Sequence, residues 1–375
     1  MTAREPAPPL RPVFVNGKFC AQRTTGVQRY ARHLLVALDA SLAGHPDGRT
    51  WTLLVPPGAQ VPTLRAVRVR TLSWAGPGGL HGWEQVALPW AARQGRLLCL
   101  SGSAPAWAAR LGSVLHDAAV FDHPEAYSAP FRRWYRWLFR RLARRADPLM
   151  TISGFSRDRL SAALQVPASR FDIVPGGADH IGAVMPADLP PDLQGRRFVV
   201  AVGSANPTKN LAVLQAAWAR VHAPAHVLVL AGGSHPRVFA DAGTSPVGDR
   251  TLVLTSVDDA LLVALYRHAD ALAFPSVYEG FGLPPLEAML EGCPVLAAHA
   301  ASLPEVCGDA ALYVDPRDIA GIAAGLQRLV DDAALRADLR ARGLARAATL
   351  TWAAAGAQLR QVLEARWQVG KGTGR

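Results

Sequence analysis

The chain has 375 residues, about half of them apolar, with a formal charge of +11 and a sequence pI near 10.2. That length argues for two domains rather than one core, and no stretch reaches the roughly 20 uninterrupted apolar residues that span a bilayer. The positive balance favours an acidic partner: nucleic acid, an anionic membrane or a phosphorylated small molecule. Four widely spaced cysteines, Cys20, Cys99, Cys293 and Cys307, form no CxxC pair. They read as buried thiols of a reducing compartment, not as disulfides or a zinc site. The N-terminus shows no signal peptide, so a cytoplasmic protein is expected. Almost all the positive charge is arginine; the lysines are Lys18, Lys209 and Lys371.

In chain order, short apolar runs alternate with longer amphipathic segments. Strands are predicted at 12–16, 51–55, 96–100, 113–117, 148–152 and 171–175, with helices at 27–39, 131–145 and 155–164. The Gly/Pro-rich, aperiodic stretch 176–196 reads as an interdomain linker. Strands are predicted again at 197–203, 226–232, 251–254, 270–275 and 293–297, with a helix from Lys209 to Val221. From Asp331 the chain reads as helical to near Trp367, with a frayed tail. This βα alternation predicts an α/β protein with two doubly wound, Rossmann-like domains facing across a cleft. The expected division is 1–180, 181–350, and a closing segment 351–375 whose helix can pack back on the N-terminal domain. In such sheets ligands bind at the carboxyl ends of the strands.

Four strand ends carry candidate chemistry. In TTGVQRY (24–30), Gly26 lets backbone approach an anion at a helix N-terminus, though a glycine there also serves an ordinary turn. In GSANPTKN (203–210), Lys209 supplies a compact charge suited to phosphate, the alternative being a solvated lysine at a helix start. In FPSVYEGFGLPPLEAML (274–290), Gly280 and Gly282 bare the amides of Phe281, Gly282 and Leu283 for an anion. Glu279 and Glu287, with seven residues between them, are placed to accept hydrogen bonds from hydroxyls. Paired carboxylates also serve glycoside hydrolysis, but there they come from separate strands. In LHDAAVFDHPE (115–125), His116 is either a structural histidine or a cleft residue.

The run from Phe274 to Pro316 resembles the nucleotide-sugar site of the retaining glycosyltransferases of family 4, whose fold is GT-B. Glu279 and Glu287 match their Glu-x7-Glu motif, GSANPTKN their diphosphate loop, TTGVQRY their N-terminal Gly loop, and LHD their cleft histidine. HGWEQVALP (81–89) and TISGFSRDRL (151–160) resemble a polysaccharide-building branch of the family, with no role assigned. The resemblance implies that Glu279 binds donor-sugar hydroxyls and Glu287 the ribose. It implies that Gly203, Ser204, Lys209, Gly280 and the amides of Phe281, Gly282 and Leu283 hold the diphosphate. Gly26 would cap it, and His116 and Glu279 would flank the transferred sugar as catalytic residues. Many members add an arginine to the diphosphate loop; Ser204 and Thr208 stand there instead.

The expected activity is hexosyl transfer with retention, mannose from GDP-mannose first and rhamnose or glucose next, to a lipid-linked or oligosaccharide acceptor. No acidic pair follows a strand in DxD fashion, so no metal and no cofactor are expected. A sugar-nucleotide epimerase and a nucleic-acid-binding protein are weaker alternatives; the aromatics form no stacking platform, so no nucleic acid is expected. In FRRWYRWLFRRLARR (131–145), Phe131, Trp134, Tyr135, Leu138 and Leu142 project as an apolar stripe opposite Arg132, Arg133, Arg136, Arg140 and Arg144. Arg133, Arg136, Trp137 and Arg140 are expected to touch anionic lipid on the inner face of the membrane. The alternative is a packed helix with a solvated basic face.

Overall fold

The computed structural model describes residues 10–203, 206–232 and 250–367. Short runs rich in Val, Leu and Ala pair side by side and all in one direction. Val13–Asn16 (β1), Trp51–Val55 (β2), Arg68–Thr71 (β3), Arg96–Cys99 (β4), Leu111–Val114 (β5), Leu149–Thr151 (β6) and Phe171–Ile173 (β7) form one parallel sheet in the order β3-β2-β1-β4-β5-β6-β7. Arg197–Val202 (β8), His226–Ala231 (β9), Thr251–Leu254 (β10), Ala271–Phe274 (β11), Val295–Ala298 (β12) and Ala311–Val314 (β13) form a second, in the order β10-β9-β8-β11-β12-β13. The α/β class with two doubly wound sheets is as expected.

Both faces of the inner strands are covered, as parallel sheets require. Phe198 and Val200 of β8 face one apolar cluster while Val199 and Ala201 face another. The first of these clusters runs continuously from Val13 and Val15 through Phe198 and Val200 to Trp352 and Trp367. Apolar contact therefore joins the two sheets to the closing helix. That helix, Trp352–Trp367, lies against Gly26–Gly44 at close range: a Cβ on Gly356 would stand 2.8 Å from the Cβ of Ala37. Its end is held by Trp367 Nε1, which donates to the Asp147 carbonyl at 2.8 Å.

Several boundaries differ from expectation. β3 was not foreseen, because it is a four-residue edge strand with every residue exposed, so its alternation marks no buried face; β13 was likewise missed after CGDA. The helical tail breaks at Leu350, where the Thr351 hydroxyl accepts from the Ala354 amide and starts the second helix. Lys209 does not enter an α-helix. It ends a 3-10 turn, Pro207–Lys209, followed by Asn210 in left-handed geometry (φ 60°) and the helix Leu211–Trp218. The supposed linker carries a helical turn, Asp179–Gly182, with Ile181 fully buried.

Candidate functional site

The strand order reverses at β1/β4 in the first sheet and at β8/β11 in the second. These are the two topological switch points where an open α/β sheet leaves a crevice. Loops leaving β1, β5, β8 and β11 converge there around one cavity of about 530 Å³. Arg23 to Val27 and Asp117 line it from the first sheet; Gly203, Lys209 and Glu279 to Pro284 line it from the second.

The loop after β11 builds the densest part. Gly282 adopts φ 109°, a region L side chains rarely enter, and directly precedes the helix Leu283–Leu290. Gly280 is pressed on the first sheet, where an added Cβ would meet the Asp117 side chain at 3.0 Å and the His116 carbonyl at 3.1 Å. Among the described residues, the amides of Phe281, Gly282 and Leu283 have no protein acceptor. Lys209 Nζ lies 2.6 Å from Glu279 Oε1, with both side chains largely buried. A cation, a carboxylate and three unengaged amides thus share one cavity wall. The cavity's other cation is Arg23. At Gly26 an added Cβ meets nothing within 4 Å, so a side chain there would take up open space beside the cavity. Ser204 lies outside the described residues.

Glu287 sits behind this wall, almost wholly buried. Its Oε1 is 3.2 Å from His180 Nε2 and its Oε2 3.4 Å from the Tyr266 hydroxyl. Trp352 Nε1 donates to His180 Nδ1 at 3.0 Å. Arg29 pairs with Asp259 in bidentate fashion, at 2.6 and 3.1 Å, and reaches His180 Nε2 at 3.1 Å. Sequence reasoning missed His180 because it lies in a stretch that looked like linker.

His116 is buried one layer back from the cavity. Its ring nitrogen Nε2 lies 2.9 Å from the Leu100 carbonyl, and Tyr30 meets it edge-on at 4.8 Å. Burial lowers its pKa to about 4. Asp117 forms the cavity wall instead, and burial raises its pKa, with the Glu279 charge adding to the rise.

Each of the two motifs without an expected role has buried polar members. Glu84 accepts from Lys18 Nζ at 2.7 Å, Asn16 Nδ2 at 2.9 Å and Ser103 Oγ at 2.7 Å. Lys18 and Lys209 therefore each follow the first strand of a sheet in chain order, at its switch point, and each pair with a carboxylate. Ser153 and Ser156 both donate to the Gly280 carbonyl across the cleft, at 2.6 and 3.0 Å. Tyr278 bridges the same cleft between the Ala118 amide and Asp122.

The basic helix spans Ala129–Arg145. Leu138 and Leu142 are buried as expected, but Phe131 is exposed and stacks between Tyr127 and Tyr135. Arg136 turns inward, donating to the Val120 and Phe121 carbonyls at 3.0 and 3.3 Å. Arg133 and Arg140 remain exposed. Trp137 is exposed beside Trp107, and Arg141 lies 3.7 Å over the Trp107 ring.

Residues 24–180 match the family described as Glycosyltransferase Family 4, and residues 191–346 match that described as Glycosyl transferases group 1. An O-antigen chain mannosyltransferase B of Escherichia coli is 33% identical over 261 residues, covering 65% of this chain and 67% of that protein. The chain belongs to glycosyltransferase family 4. An MMP alpha-(1->4)-mannosyltransferase of Mycolicibacterium hassiacum is 33% identical over 209 residues, 53% of this chain, and the match spans half of that protein. Anabaena HepE, solved in complex with UDP-glucose, superposes with a TM-score of 0.69 at 18% identity, covering 95% of this chain and 100% of that one. This likeness gives the GT-B fold to the family 4 chain. No described helix is long and apolar enough to cross a membrane.

Proposed function

We propose that this family 4 glycosyltransferase transfers a hexose with retention from a nucleoside diphosphate sugar, mannose from GDP-mannose, to a lipid-linked or oligosaccharide acceptor of a surface polysaccharide. The observation that carries this reading is the meeting of Lys209, Glu279 and the free amides of residues 281–283 around one cavity. In the reaction the bond between the anomeric carbon and the β-phosphate oxygen breaks, and negative charge grows on that phosphate. Fixed amides and cations aimed at that charge stabilise it as it develops. The acceptor oxygen bonds to the anomeric carbon and its proton passes to the departing phosphate. Glu279 accepts from a sugar hydroxyl, and Glu287, oriented by His180 and Tyr266, is the ribose ligand.

Arg23, on the first-sheet wall, supplies the cation that Ser204 and Thr208 do not. Lys209, Arg23 and the amides do the work of a divalent ion, so turnover is metal-independent. The mannosyltransferase names of two relatives support mannose, and the O-antigen relative supports polysaccharide assembly. Exposed Arg133, Arg140, Trp107 and Trp137 support docking on the anionic inner leaflet. The test is turnover of GDP-mannose, UDP-glucose and dTDP-rhamnose with lipid-linked oligosaccharide acceptors in EDTA, reading the product anomer by NMR. Mannosyl transfer with an α-linked product from the α-linked donor is expected; an inverted anomer, or dependence on added metal, overturns the corresponding part.

A further inference from the structure

TISGFS (151–156) carries an arrangement that the transfer reaction, as derived above, leaves unused. Ser153 and Ser156 are fully buried and belong to the first half of the molecule. Ser153 Oγ accepts from the Ser156 amide at 3.0 Å, as the cap of the helix Gly154–Leu164, and so directs its own proton outward. That proton goes to the Gly280 carbonyl at 2.6 Å, and the Ser156 hydroxyl reaches the same oxygen at 3.0 Å. A carbonyl oxygen has two acceptor positions. Both are taken here, by side chains from the opposite half.

A trans peptide is planar, with its C=O and N–H pointing in opposite directions. Asp147–Pro148 is the one cis bond among the described residues, so the bond from Gly280 to Phe281 is trans. Holding the Gly280 carbonyl on the serines therefore turns the Phe281 N–H to the side away from them. The loop also packs closely on the first half at Gly280, where a Cβ would meet the Asp117 side chain at 3.0 Å and the His116 carbonyl at 3.1 Å. The next peptide is held differently. Ser302, from the second half itself, has its hydroxyl 2.7 Å from the Phe281 carbonyl, which orients the Gly282 amide whatever the first half does.

We propose that Ser153 and Ser156 are positioning residues that aim the Phe281 amide at the donor's β-phosphate. The second half supplies the amide, but the first half sets its direction. The phosphate cradle is thus completed only when the two halves meet. Glu305 reinforces the contact by accepting from the Gly154 and Phe155 amides at 2.8 and 3.1 Å. The proposal rests on the reading of this cavity as a diphosphate site.

The experiment compares nucleoside diphosphates with their monophosphates, GDP with GMP and UDP with UMP, by calorimetry on wild type, S153A/S156A, S156A and S153T. A merely structural role would weaken both nucleotides together. The proposal expects the double variant to lose roughly tenfold or more in diphosphate affinity, and less than threefold for the monophosphate. S153T, which keeps the hydroxyl, should retain the wild-type ratio. If the double variant does not fold, S156A, which leaves the cap in place, must still lower the diphosphate-to-monophosphate ratio. An unchanged ratio in S156A and the double variant overturns the positioning role. A wild type that binds diphosphates no more tightly than monophosphates instead overturns the diphosphate reading, and the proposal with it.

Discussion

His180 Nε2 lies 3.2 Å from Glu287 Oε1, with both side chains almost fully buried and 107 positions apart in the chain. The Trp352 indole can only donate, so His180 Nδ1 must accept, and the imidazole proton is assigned to Nε2, facing the carboxylate. Arg29 NH1, close to the same nitrogen, has Asp259 as its acceptor. A buried carboxylate without donors is costly, and His180 is one of its few.

His180→Ala should therefore lower stability by about 1–3 kcal/mol, the cost of leaving a buried acceptor unpaired. It should also raise the donor KM more than it lowers kcat, since Glu287, the proposed ribose ligand, would lose its orientation. Chemical denaturation and initial-rate kinetics check the two parts. Trp352→Phe, which keeps most of the ring but removes the indole N–H, should move KM in the same direction by less.

Lys209→Ala should lower kcat by roughly 100-fold or more, because the lost charge acts where the leaving phosphate becomes more negative. Lys209→Arg should recover little. A planar guanidinium does not reproduce a point charge held 2.6 Å from Glu279 beneath a tight loop. Single-turnover rates at saturating donor separate this from weakened binding.

His116 titrates near 4 in the folded protein, against about 6.5 when unfolded. Burial favours the neutral ring, so the unfolded chain binds the extra proton. Stability from this group is complete above about pH 6.5 and is lost as pH falls from there toward 4. The slope is at most about 1.4 kcal/mol per pH unit. His33, lowered to about 3 by burial and by its His180 and Arg29 neighbours, acts in the same sense. Urea midpoints at pH 7, 6 and 5 should fall in that order, and less steeply in His116→Asn.

How much of this was legible in the sequence depended on whether a residue acts locally. Glu279, Lys209 and the glycines of the β11 loop declare themselves because strand, turn and helix succeed one another within a dozen residues. The doubly wound fold shows in the same way, through buried runs such as HVLVLA. His180 and Ser153 were opaque because their partners, Glu287 and Gly280, are 107 and 127 positions away. Arg136 illustrates the converse limit. Helical periodicity placed it on the basic face, yet two carbonyls at the end of a neighbouring helical turn draw it inward. For His116, proximity to a strand end was visible, but its depth behind Asp117 was not.

The basic helix yields a separable pair of outcomes. Arg133→Glu with Arg140→Glu should reduce binding to vesicles containing 30% anionic lipid without altering the melting temperature, each charge contributing about 1 kcal/mol near such a surface. Trp107→Ala with Trp137→Ala should reduce it further. Arg136→Glu should instead destabilise the fold, since it removes two bonds to backbone carbonyls. Sedimentation with vesicles and thermal melts distinguish these effects.

The most direct measurement is calorimetric titration of GDP-mannose, UDP-glucose and dTDP-rhamnose into wild type, Lys209→Ala and Glu279→Ala. At least one of these sugar nucleotides should bind the wild type, GDP-mannose foremost. Loss of Lys209 should weaken the nucleoside diphosphate as well as the sugar nucleotide. Loss of Glu279 should weaken chiefly the sugar nucleotide. Wild-type protein that binds none of the three, or variants that bind as tightly as wild type, would contradict it.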